Sequence, residues 1–548
     1  MLETKTLDFT VGEFATNPDR FAGVSISEMV RHWSETIPDE TAFVTPESRV
    51  SWKQYDAAAD AIASALDLAG EGYGHVAVLL PPDTAVFHAA LCAAFRTGRV
   101  AVGIGSRSGI REISHLIARS EASVLVTTRT LRGVDTAELV ASLRAEHPGL
   151  DVVFADERAD VSFERVSANG ELTSLPVELK QFPPATSPCF VTSAVSMLNS
   201  TSGTTGLPKL VTQTEDRWVG FSEIAAEAAA IGSDEVFLGA VPAPFGFGLW
   251  TSHFLPALLG ARNVVMERFD VSVMIELIER ERVTALNCVS TQFKMLLRSE
   301  AAESADLSSL RFMFTGGEAV PYSEALAFEQ RTGAAVLQFY GSNETGAVSV
   351  TTVSDGSDTR LKTCGHVIDR MQVRVFDDAA KEMTGSVRRG QPGVNGPLMC
   401  QGYWGDTDAN DELYTDDGWM LLGDIVEIDE TGRVRVVGRK ADIIIRGGKN
   451  ISAVEVEEYV RAHPSVELVA VVGVDDPLFG EKVCAVVVSA DDDLSSEDLT
   501  AWLQSRGVTR EYIPEYVMTV AELPMAAGGK VAKGEVKALA QRRIAELG

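Results

Sequence analysis

Ten consecutive residues, Ser200 to Lys209, combine small side chains, hydroxyls and one terminal cation. Small residues let a backbone approach a polyphosphate, hydroxyl and amide groups can donate hydrogen bonds to its oxygens, and a lysine adds positive charge. The segment therefore predicts a phosphate-binding loop. Its candidate ligand-binding residues are Thr201, Ser202, Gly203, Thr204, Thr205, Gly206 and Lys209.

This loop differs from the GxxxxGK[ST] nucleotide loop. Pro208 stands where that pattern requires glycine, and Leu210 stands where it requires a hydroxyl residue. Apolar residues flank the loop on both sides, from Val195 to Leu198 and at Leu210 and Val211. We therefore expect the loop to join two strands and not to lead from a strand into a helix.

At this decapeptide the sequence resembles the adenylate-forming (AMP-dependent synthetase/ligase) superfamily, which includes acyl- and aryl-CoA synthetases, adenylation domains of peptide synthetases, and luciferases. Further segments resemble the motifs of that superfamily, in the same order, as far as Lys530. The resemblance implies two half-reactions in one active site. An acid attacks Mg-ATP to give an acyl adenylate and pyrophosphate, and a thiol then displaces AMP.

The resemblance places much of the ATP site in two segments. Residues 314–318, FTGGE, resemble the adenine-contacting loop, and residues 338–344, QFYGSNE, resemble the YGxTE motif. Tyr340 would stack on adenine, and Glu344 with Thr204 would hold Mg²⁺ bridging the phosphates. Asn343 stands where a hydroxyl residue is usual, and its amide can still donate to a phosphate oxygen. The remaining assigned residues are Gly316, Gly317, Glu318, Phe339, Gly341 and Ser342.

Three further charged residues complete the nucleotide site implied by the resemblance. Asp424 ends a segment similar to the motif ending in TGD and would accept hydrogen bonds from the ribose hydroxyls, while Arg439 would contact ribose or phosphate. Lys530 ends a segment similar to LPxTxxGK and would neutralise charge as the carboxylate oxygen attacks phosphorus. Lys530, Glu344 and Thr204 are the predicted catalytic residues.

The second half-reaction is assigned to residues 443–455, IIIRGGKNISAVE, which resemble the signature that opens the small domain. Gly447 and Gly448 would line the thiol tunnel, and Lys449 would contact coenzyme A. The hinge is placed at Lys440 and Ala441. Ala441 stands where Asp or Lys is usual, so we expect a working hinge with an altered balance between its two states.

Residues 242–250, PAPFGFGLW, resemble the acid-pocket motif of the superfamily. A phenylalanine between two glycines predicts a flat apolar slot, and this favours an aromatic or alicyclic acid over a long fatty acid. The candidate pocket residues are Phe245, Phe247, Gly248, Ser290, Thr291 and Gly341.

The elements that must hold these groups follow from periodicity. Strand-like and helix-like segments alternate, which predicts α/β units on a largely parallel sheet; a similar rhythm returns between Val236 and Phe339. The first segments are Val76 to Leu80, Thr84 to Phe95, Val100 to Ile104, Ile110 to Arg119 and Val124 to Thr127.

Beyond Lys440, helical segments and β-branched strands predict a small α+β unit. The predicted fold is therefore α/β, with a large multi-layer N-terminal domain of mixed sheets and helices and a small, mobile α+β C-terminal domain. Residues 1–439 would bind ATP and the acid, and residues 440–548 would carry the catalytic lysine.

Composition sets outer limits on function. The 548 residues are 45% hydrophobic and 23% charged, as in a folded soluble protein with more than one domain. A formal charge of -30 argues against nucleic-acid and anionic-membrane partners. Six scattered cysteines, no leader and no apolar run of membrane-spanning length predict a cytoplasmic protein. The sequence leaves the oligomeric state open between monomer and homodimer.

Three alternatives to a coenzyme A ligase follow from the same resemblance. The first is an aryl-acid adenylating enzyme that loads the phosphopantetheine arm of a carrier protein. The second is a non-catalytic nucleotide-binding relative, which the presence of all five key polar residues disfavours. The third is a luciferase, for which no feature argues. The five residues are Thr204, Lys209, Glu344, Asp424 and Lys530.

Overall fold

The computed structural model of the protein is a multi-layer α/β fold. It describes residues 23–46, 48–70, 74–156, 160–166, 171–182, 193–200, 208–266, 268–317, 320–377, 379–447, 449–489, 494–525 and 531–547. Within these ranges, every helix is too short or too polar to cross a membrane.

The strands in chain order are β1 (Thr41–Val44), β2 (Arg49–Ser51), β3 (His75–Leu79), β4 (Val100–Gly103), β5 (Ala122–Thr127), β6 (Thr130–Leu131), β7 (Val134–Asp135), β8 (Asp151–Ala155), β9 (Val161–Val166), β10 (Leu172–Leu175), β11 (Val195–Ser200), β12 (Leu210–Thr214), β13 (Val236–Gly239), β14 (Arg262–Val264), β15 (Ala285–Asn287), β16 (Phe312–Gly316), β17 (Ala335–Ser342), β18 (Gly346–Val350), β19 (His366–Val367), β20 (Gln372–Phe376), β21 (Arg388–Asn395), β22 (Met420–Leu421), β23 (Asp424–Ile428), β24 (Val434–Arg439), β25 (Ile443–Arg446), β26 (Lys449–Ser452), β27 (Val466–Asp476), β28 (Gly480–Ser489) and β29 (Tyr516–Thr519).

The helices are α1 (Ile26–Thr36), α2 (Trp52–Asp67), α3 (Ala85–Arg96), α4 (Ile110–Ser120), α5 (Ala137–Glu146), α6 (Glu215–Ala229), α7 (Gly246–Leu249), α8 (Leu255–Leu259), α9 (Val271–Glu281), α10 (Ser290–Arg298), α11 (Glu300–Ser304), α12 (Tyr322–Thr332), α13 (Ser357–Lys362), α14 (Thr407–Leu413), α15 (Ala453–Arg461), α16 (Ser496–Ser505) and α17 (Lys533–Leu547). A π-helical segment, Trp250–Phe254, joins α7 to α8, and 3₁₀ turns occupy Lys440–Asp442 and Arg510–Tyr512.

Local side-chain chemistry sets several helix starts. The Ser25 hydroxyl and the Glu28 side chain form a reciprocal capping box at the start of α1, and Ser51 with Gln54 does the same for α2. Each pair satisfies backbone N–H groups that have no partner inside the helix. These caps fix where both helices begin.

The first large sheet carries the strands that flank the predicted phosphate loop. Its order is β10-β9-β8-β5-β3-β4-β11-β12, in which the run from β8 to β11 is parallel and the outer pairs are antiparallel. β11 and β12 pair with Ser200 opposite Leu210. The loop therefore joins two strands, as the sequence predicts.

The second large sheet has the order β19-β18-β17-β16-β15-β13-β14-β1-β2, with a parallel run from β17 to β1. The register places Asn287 of β15 between Gly239 of β13 and Phe314 of β16. The predicted return of the α/β rhythm between Val236 and Phe339 is confirmed.

The largest apolar core contains residues from both large sheets. Val76 of β3 belongs to it, as do Phe312 and Phe314 of β16. Ala77, the next residue of β3, belongs to a second core, and Met313, between the two phenylalanines, belongs to a third. This alternation places apolar side chains on both faces of each sheet, as expected for strands covered by helices on both sides.

Two smaller sheets follow in the chain. The first is antiparallel with the order β20-β21-β23-β24, and β22 pairs with β21. The second, in the C-terminal part, has the order β26-β25-β28-β27, with β29 parallel to β28. Alternate residues of β27 enter separate cores: Val471 packs with residues of α15 and α16, and Val472 packs with residues of α17.

The observed elements agree with the predicted fold class. A large N-terminal domain of mixed sheets and helices and a small C-terminal domain are both present, and the strand and helix positions predicted from Val76 to Thr127 differ from the observed ends by at most two residues. The five cysteines in the described ranges are all free and buried, as predicted. The domain boundary at Lys440 stays a prediction.

Candidate active site

Of the predicted phosphate loop, the structure describes Ser200 at the end of β11 and Pro208 and Lys209 just before β12. Thr201, Ser202, Gly203, Thr204, Thr205 and Gly206 lie outside the described residues. Lys209 directly precedes β12, and its Nζ lies 4.8 Å from the centre of the Tyr403 ring. The cation of the loop is therefore placed against an aromatic face.

The same tyrosine contacts the predicted magnesium ligand. The Tyr403 hydroxyl donates to Oε1 of Glu344 at 2.9 Å, and the Cys400 backbone N–H donates to the Glu344 carbonyl oxygen at 2.6 Å. Burial, and then the adjacent Glu344 carboxylate, raise the pKa of Tyr403 well above its usual range, so the phenol stays protonated as a donor. Tyr403 thus contacts both Lys209 and Glu344. It belongs to none of the motifs that predicted the site from the sequence.

Asn343 takes part in a reciprocal amide pair. Its Nδ2 donates to Oδ1 of Asn199 at 3.0 Å, and Asn199 Nδ2 donates to Oδ1 of Asn343 at 2.9 Å. Gln213 Nε2 donates to the same Asn199 oxygen at 2.7 Å. The structure therefore brings Asn343 together with both strands of the predicted phosphate loop, whereas the sequence suggested only a contact with phosphate.

A buried guanidinium completes this polar group. Arg217 of α6 donates to the Asn343 carbonyl oxygen at 2.7 Å and also contacts Gln213 Oε1 and the Leu398 carbonyl oxygen. Burial lowers the pKa of Arg217 to about 10, which still leaves it charged at neutral pH. We refer to Asn199, Gln213, Arg217 and Asn343 as the amide–arginine network.

The predicted ribose-binding residues lie together. Asp424 and Arg439 are directly opposite each other on β23 and β24, and Arg439 Nε is 3.4 Å from Asp424 Oδ1. The Tyr340 hydroxyl donates to Asp424 Oδ2 at 3.2 Å. Burial and the Asp424 charge raise the pKa of Tyr340 well above its usual range. The adenine-stacking and ribose-binding candidates are therefore in direct contact.

Two glycines allow the strands at this site to approach closely. A Cβ on Gly316 would lie 2.3 Å from the Phe339 carbonyl oxygen, and one on Gly341 would lie 1.8 Å from the Gly346 carbonyl oxygen. Gly317 has φ 77°, a left-handed conformation that favours glycine. Gly316 and Gly341 accept no larger residue without a backbone shift. Glu318 lies outside the described residues. The Ser342 hydroxyl accepts from the N–H of Glu344 at 3.1 Å.

An aromatic cluster lies beside the predicted acid-pocket segment. We define it as Phe221, Phe247, Trp250, Phe314 and Phe339. Trp250 stacks on Phe221 with ring centres 4.3 Å apart and meets Phe247 edge-on at 5.6 Å. It also contacts Phe339 at 5.0 Å and Phe314 at 5.4 Å. One of these rings, Phe247, is a predicted acid-pocket residue.

The other predicted pocket residues lie in three segments of the chain. Phe245 immediately precedes α7, and Ser290 and Thr291 begin α10. A Cβ on Gly248 would lie 2.4 Å from the carbonyl oxygens of Val241 and Pro242, so this turn requires glycine. The π-helical segment that follows is a rare conformation often found near functional sites.

The predicted hinge and thiol residues lie at the surface of the C-terminal part. Lys440 Nζ donates to Gln391 Oε1 at 3.0 Å, and Ala441 is exposed in the 3₁₀ turn. Gly447 has φ +57° and donates its N–H to the Phe479 carbonyl oxygen at 2.7 Å. Lys449 pairs with Glu511 at 2.5 Å. Gly448 and Lys530 lie outside the described residues.

A half-buried lysine connects the region after Lys530 with the hinge. Lys533 Nζ lies 2.9 Å from Glu457 Oε1 and 3.4 Å from Asp442 Oδ2. Burial opposes its charge, but Glu457 and Asp442 outweigh that effect and raise the pKa of Lys533. Asp442 directly follows Ala441, so the two chain segments are fixed to each other by an ion pair.

Comparison with known proteins agrees with this arrangement. Residues 30–404 match the family model described as AMP-binding enzyme, and residues 455–530 match that of the AMP-binding enzyme C-terminal domain. The chain is 33% identical over 480 residues to a feruloyl-CoA synthase of Amycolatopsis sp., covering 87% of this chain and 91% of that protein. It is 27% identical over 533 residues to the medium-chain fatty-acid–CoA ligase of Escherichia coli (strain K12), covering 95% and 92%.

A solved structure shows the same fold. The anthranilate CoA ligase AuaEII in complex with anthranoyl-AMP superposes with a TM-score of 0.83 at 21% identity, covering 95% of this chain and 98% of that one. Because the family model spans more than half of the chain, the two family matches and the site geometry lead to one conclusion. The chain belongs to the family of AMP-binding enzymes, within the adenylate-forming superfamily.

Proposed function

We propose that the protein is an ATP- and Mg²⁺-dependent acid–thiol ligase that forms an acyl adenylate and then an acyl-CoA thioester. The observation that carries this proposal is the convergence of candidate groups on β17 and the turn after it. Tyr340 contacts the candidate ribose acceptor Asp424, and Glu344 contacts Tyr403, which lies against Lys209. Groups suited to ribose, metal and phosphate therefore belong to one site.

The first half-reaction would join the acid to AMP. A carboxylate oxygen attacks the α-phosphorus of ATP, the bond between the α-phosphorus and its bridging oxygen breaks, and pyrophosphate leaves. Lys530 would offset the negative charge that builds up between carboxylate and phosphate. Lys209 would contact the departing phosphates, and Asp424 and Arg439 would hold the ribose so that the reacting atoms stay aligned.

Glu344 and Thr204 are the residues that would hold Mg²⁺. One carboxylate and one hydroxyl, completed by phosphate oxygens and water, form a donor set that suits this cation. Among the described residues there is no separate cluster of three metal-binding side chains, which is consistent with a metal that arrives with its nucleotide. When bound, Mg²⁺ supplies charge neutralisation at the phosphate oxygens.

The second half-reaction would transfer the acyl group. The thiol sulfur attacks the acyl carbon, the bond from that carbon to the phosphate oxygen breaks, AMP leaves and the thiol proton is released. Gly447 and Gly448 would line the path of the thiol, and Lys449 would contact coenzyme A after leaving Glu511. Residues 440–548 would rotate about Lys440 and Ala441 between the half-reactions.

The acid is proposed to carry an aromatic or alicyclic ring. The aromatic cluster supports this, because flat rings pack edge-on or face-on against Phe247 and Phe339 better than a flexible chain does. Feruloyl-CoA synthase, one of the relatives, acts on an acid of this class by its name, whereas the medium-chain fatty-acid–CoA ligase does not.

A pyrophosphate-exchange assay with a panel of ring-bearing and aliphatic acids tests the first half-reaction. Addition of coenzyme A, or of a phosphopantetheinylated carrier protein, to the acids that respond tests the second. We expect a soluble acyl-CoA and AMP in equal amounts. Acylation of the carrier protein without acyl-CoA formation would support the carrier-loading alternative. Absence of exchange with every acid would contradict adenylation itself.

A further inference from the structure

The buried side-chain amide of Asn287 has no partner within the described ranges. Asn287 is the last residue of β15, its side chain is 0% exposed, and neither Oδ1 nor Nδ2 has a hydrogen-bond partner among the described residues. Burying an amide without hydrogen bonds is unfavourable, so such groups are rare and need an explanation. One explanation is a hydrogen bond to a polar atom of a ligand.

The position of Asn287 relates it to the aromatic cluster. Side chains alternate along β15: Ala285 belongs to the same apolar core as Phe314 and Trp250, whereas Leu286 belongs to the opposite core with Met313. Asn287 therefore shares the face of Ala285, next to Phe314 in register. That face is the one that carries the aromatic cluster.

The neighbour of Asn287 on its other side leaves space. Gly239 pairs with Asn287 in register and has no side chain. The nearest neighbours of a Cβ built on Gly239 are Ser252 Cβ and the Val241 carbonyl oxygen, both 4.0 Å away, so the described residues leave room for a methyl group there. Ser252 belongs to the π-helical segment, and Val241 directly precedes the predicted acid-pocket segment, residues 242–250.

A second unpartnered polar group lies in the cluster itself. Trp250 is 0% exposed, and its indole Nε1, which can only donate, has no acceptor among the described residues. Buried indole N–H groups normally find an acceptor. The chain thus carries an amide that donates and accepts next to the aromatic cluster, and an indole that donates within it.

We propose that Asn287, together with Trp250 Nε1, recognises a hydroxyl group on the ring of the acid. A hydroxyl oxygen accepts from an amide or indole N–H, and its proton is donated to the Asn287 carbonyl oxygen, so one substituent satisfies both buried groups. This inference rests on the proposed function and narrows its substrate class to hydroxylated ring acids. Asn287 is a specificity-determining residue and has no part in the chemical steps.

The test compares matched acids with wild type and variants. Benzoate, its three monohydroxy isomers, cinnamate, 4-hydroxycinnamate and a series of aliphatic acids are assayed for AMP formation. For one hydroxylated isomer we expect wild-type kcat/KM at least about 10-fold above that of its unsubstituted parent, because a site built to bond a hydroxyl rejects the analogue that lacks it. Asn287→Leu, which keeps side-chain size, should remove that preference while kcat/KM for the parent changes less than about 3-fold.

Two further measurements guard against a folding defect. Trp250→Phe keeps an aromatic ring of smaller size and removes the indole donor, so it should reduce the preference for the hydroxylated acid in the same direction. Thermal unfolding of free Asn287→Leu should occur at or above the wild-type midpoint, because an unpartnered amide is replaced by an apolar group. A clearly lower midpoint would show that the amide is satisfied in the free protein and would overturn the inference.

The outcomes separate this inference from the proposed function. Equal loss for hydroxylated and parent acids in Asn287→Leu, or wild-type preference for unsubstituted or aliphatic acids, would overturn the role of Asn287 and leave the ligase activity standing. Failure of every acid, aliphatic ones included, to release AMP would overturn the proposed function and the inference with it.

Discussion

The Tyr403 hydroxyl donates a 2.9 Å hydrogen bond to the carboxylate of Glu344, 59 residues earlier in the chain. Lys209 lies over the ring of the same tyrosine. One phenol therefore contacts the candidate metal ligand by its oxygen and the candidate phosphate-binding lysine by its ring face.

Tyr403→Phe should weaken the use of MgATP. A hydrogen bond to a charged group contributes about 1.5–3 kcal/mol, so we expect kcat/KM for MgATP to fall about 10-fold or more and the Mg²⁺ concentration for half-maximal rate to rise. Steady-state kinetics over a Mg²⁺ series measures both. Tyr459→Phe, at an exposed position of α15, is the matched control. An unchanged Mg²⁺ dependence would show that Tyr403 does not position Glu344.

Asn343→Thr should destabilise the protein although it introduces the residue type that is usual in the motif. Threonine cannot reproduce both hydrogen bonds of the reciprocal pair, so the buried Asn199 Nδ2 loses its acceptor while Asn199 Oδ1 keeps its bond from Gln213. We expect a loss of about 1–3 kcal/mol in the free energy of unfolding, measured with urea. Asn395→Thr, at an exposed strand end, should change it by less than about 0.5 kcal/mol. A loss no larger than that of the control would contradict a structural role for the pair.

Lys530→Ala should separate the two half-reactions. Loss of one aimed charge is expected to slow adenylation by about 10²- to 10³-fold, measured by pyrophosphate exchange. Thioester formation from a chemically prepared acyl adenylate should be much less affected. Lys537→Ala removes another lysine of the same C-terminal part and should leave both rates near wild type. Equal losses in both half-reactions of Lys530→Ala would refute the assignment of this lysine to adenylation alone.

Glu215 predicts a pH dependence of stability. It is fully buried; the Ser25 hydroxyl and the Ile26 N–H donate to its Oε1, and its Oε2 has no partner among the described residues. Burial raises the pKa of this carboxyl from 4.5 to about 8. Between these values the folded state keeps a proton that the unfolded state has lost, so stability falls as pH rises, by at most about 1.4 kcal/mol per unit.

Glu215→Gln should abolish that slope, because a glutamine resembles the protonated acid and does not titrate. Urea unfolding at several pH values from 5 to 8.5 should show the variant gaining stability over wild type as pH rises. Glu276→Gln, in an exposed ion pair of α9, supplies the control and should follow the wild-type profile within about 0.5 kcal/mol. Parallel profiles for Glu215→Gln and wild type would mean that the carboxyl is ionised in the fold.

Local pattern accounts for what the sequence predicted. Periodicity and residue type are sufficient to predict an element that lies within one short segment. Examples are β3 and β27, which are β-branched runs, and the glycine–hydroxyl loop between β11 and β12. Candidate site residues such as Asp424 and Tyr340 were named from motifs, but their 3.2 Å contact spans 84 residues and required the structure.

The residues that were missed act across the fold. Asn199 and Asn343 are 144 positions apart, and Arg217 reaches the Leu398 carbonyl oxygen from 181 positions away. A polar residue in an apolar strand, such as Asn199 in β11 or Asn287 in β15, was a visible anomaly. The sequence alone could not show which partner such a residue meets, or that Asn287 meets none in the part of the chain that the structure describes.

The ion pair of Lys533 with Asp442 joins two segments that both follow the proposed hinge. Lys533 is three residues beyond Lys530, and Asp442 is the first residue after Ala441. In the proposed rotation about Lys440 and Ala441, both partners lie in the part that moves, so the pair need not break between the half-reactions. A change at Ala441 would then act on the hinge alone, while the pair keeps the segment after Lys530 next to the hinge.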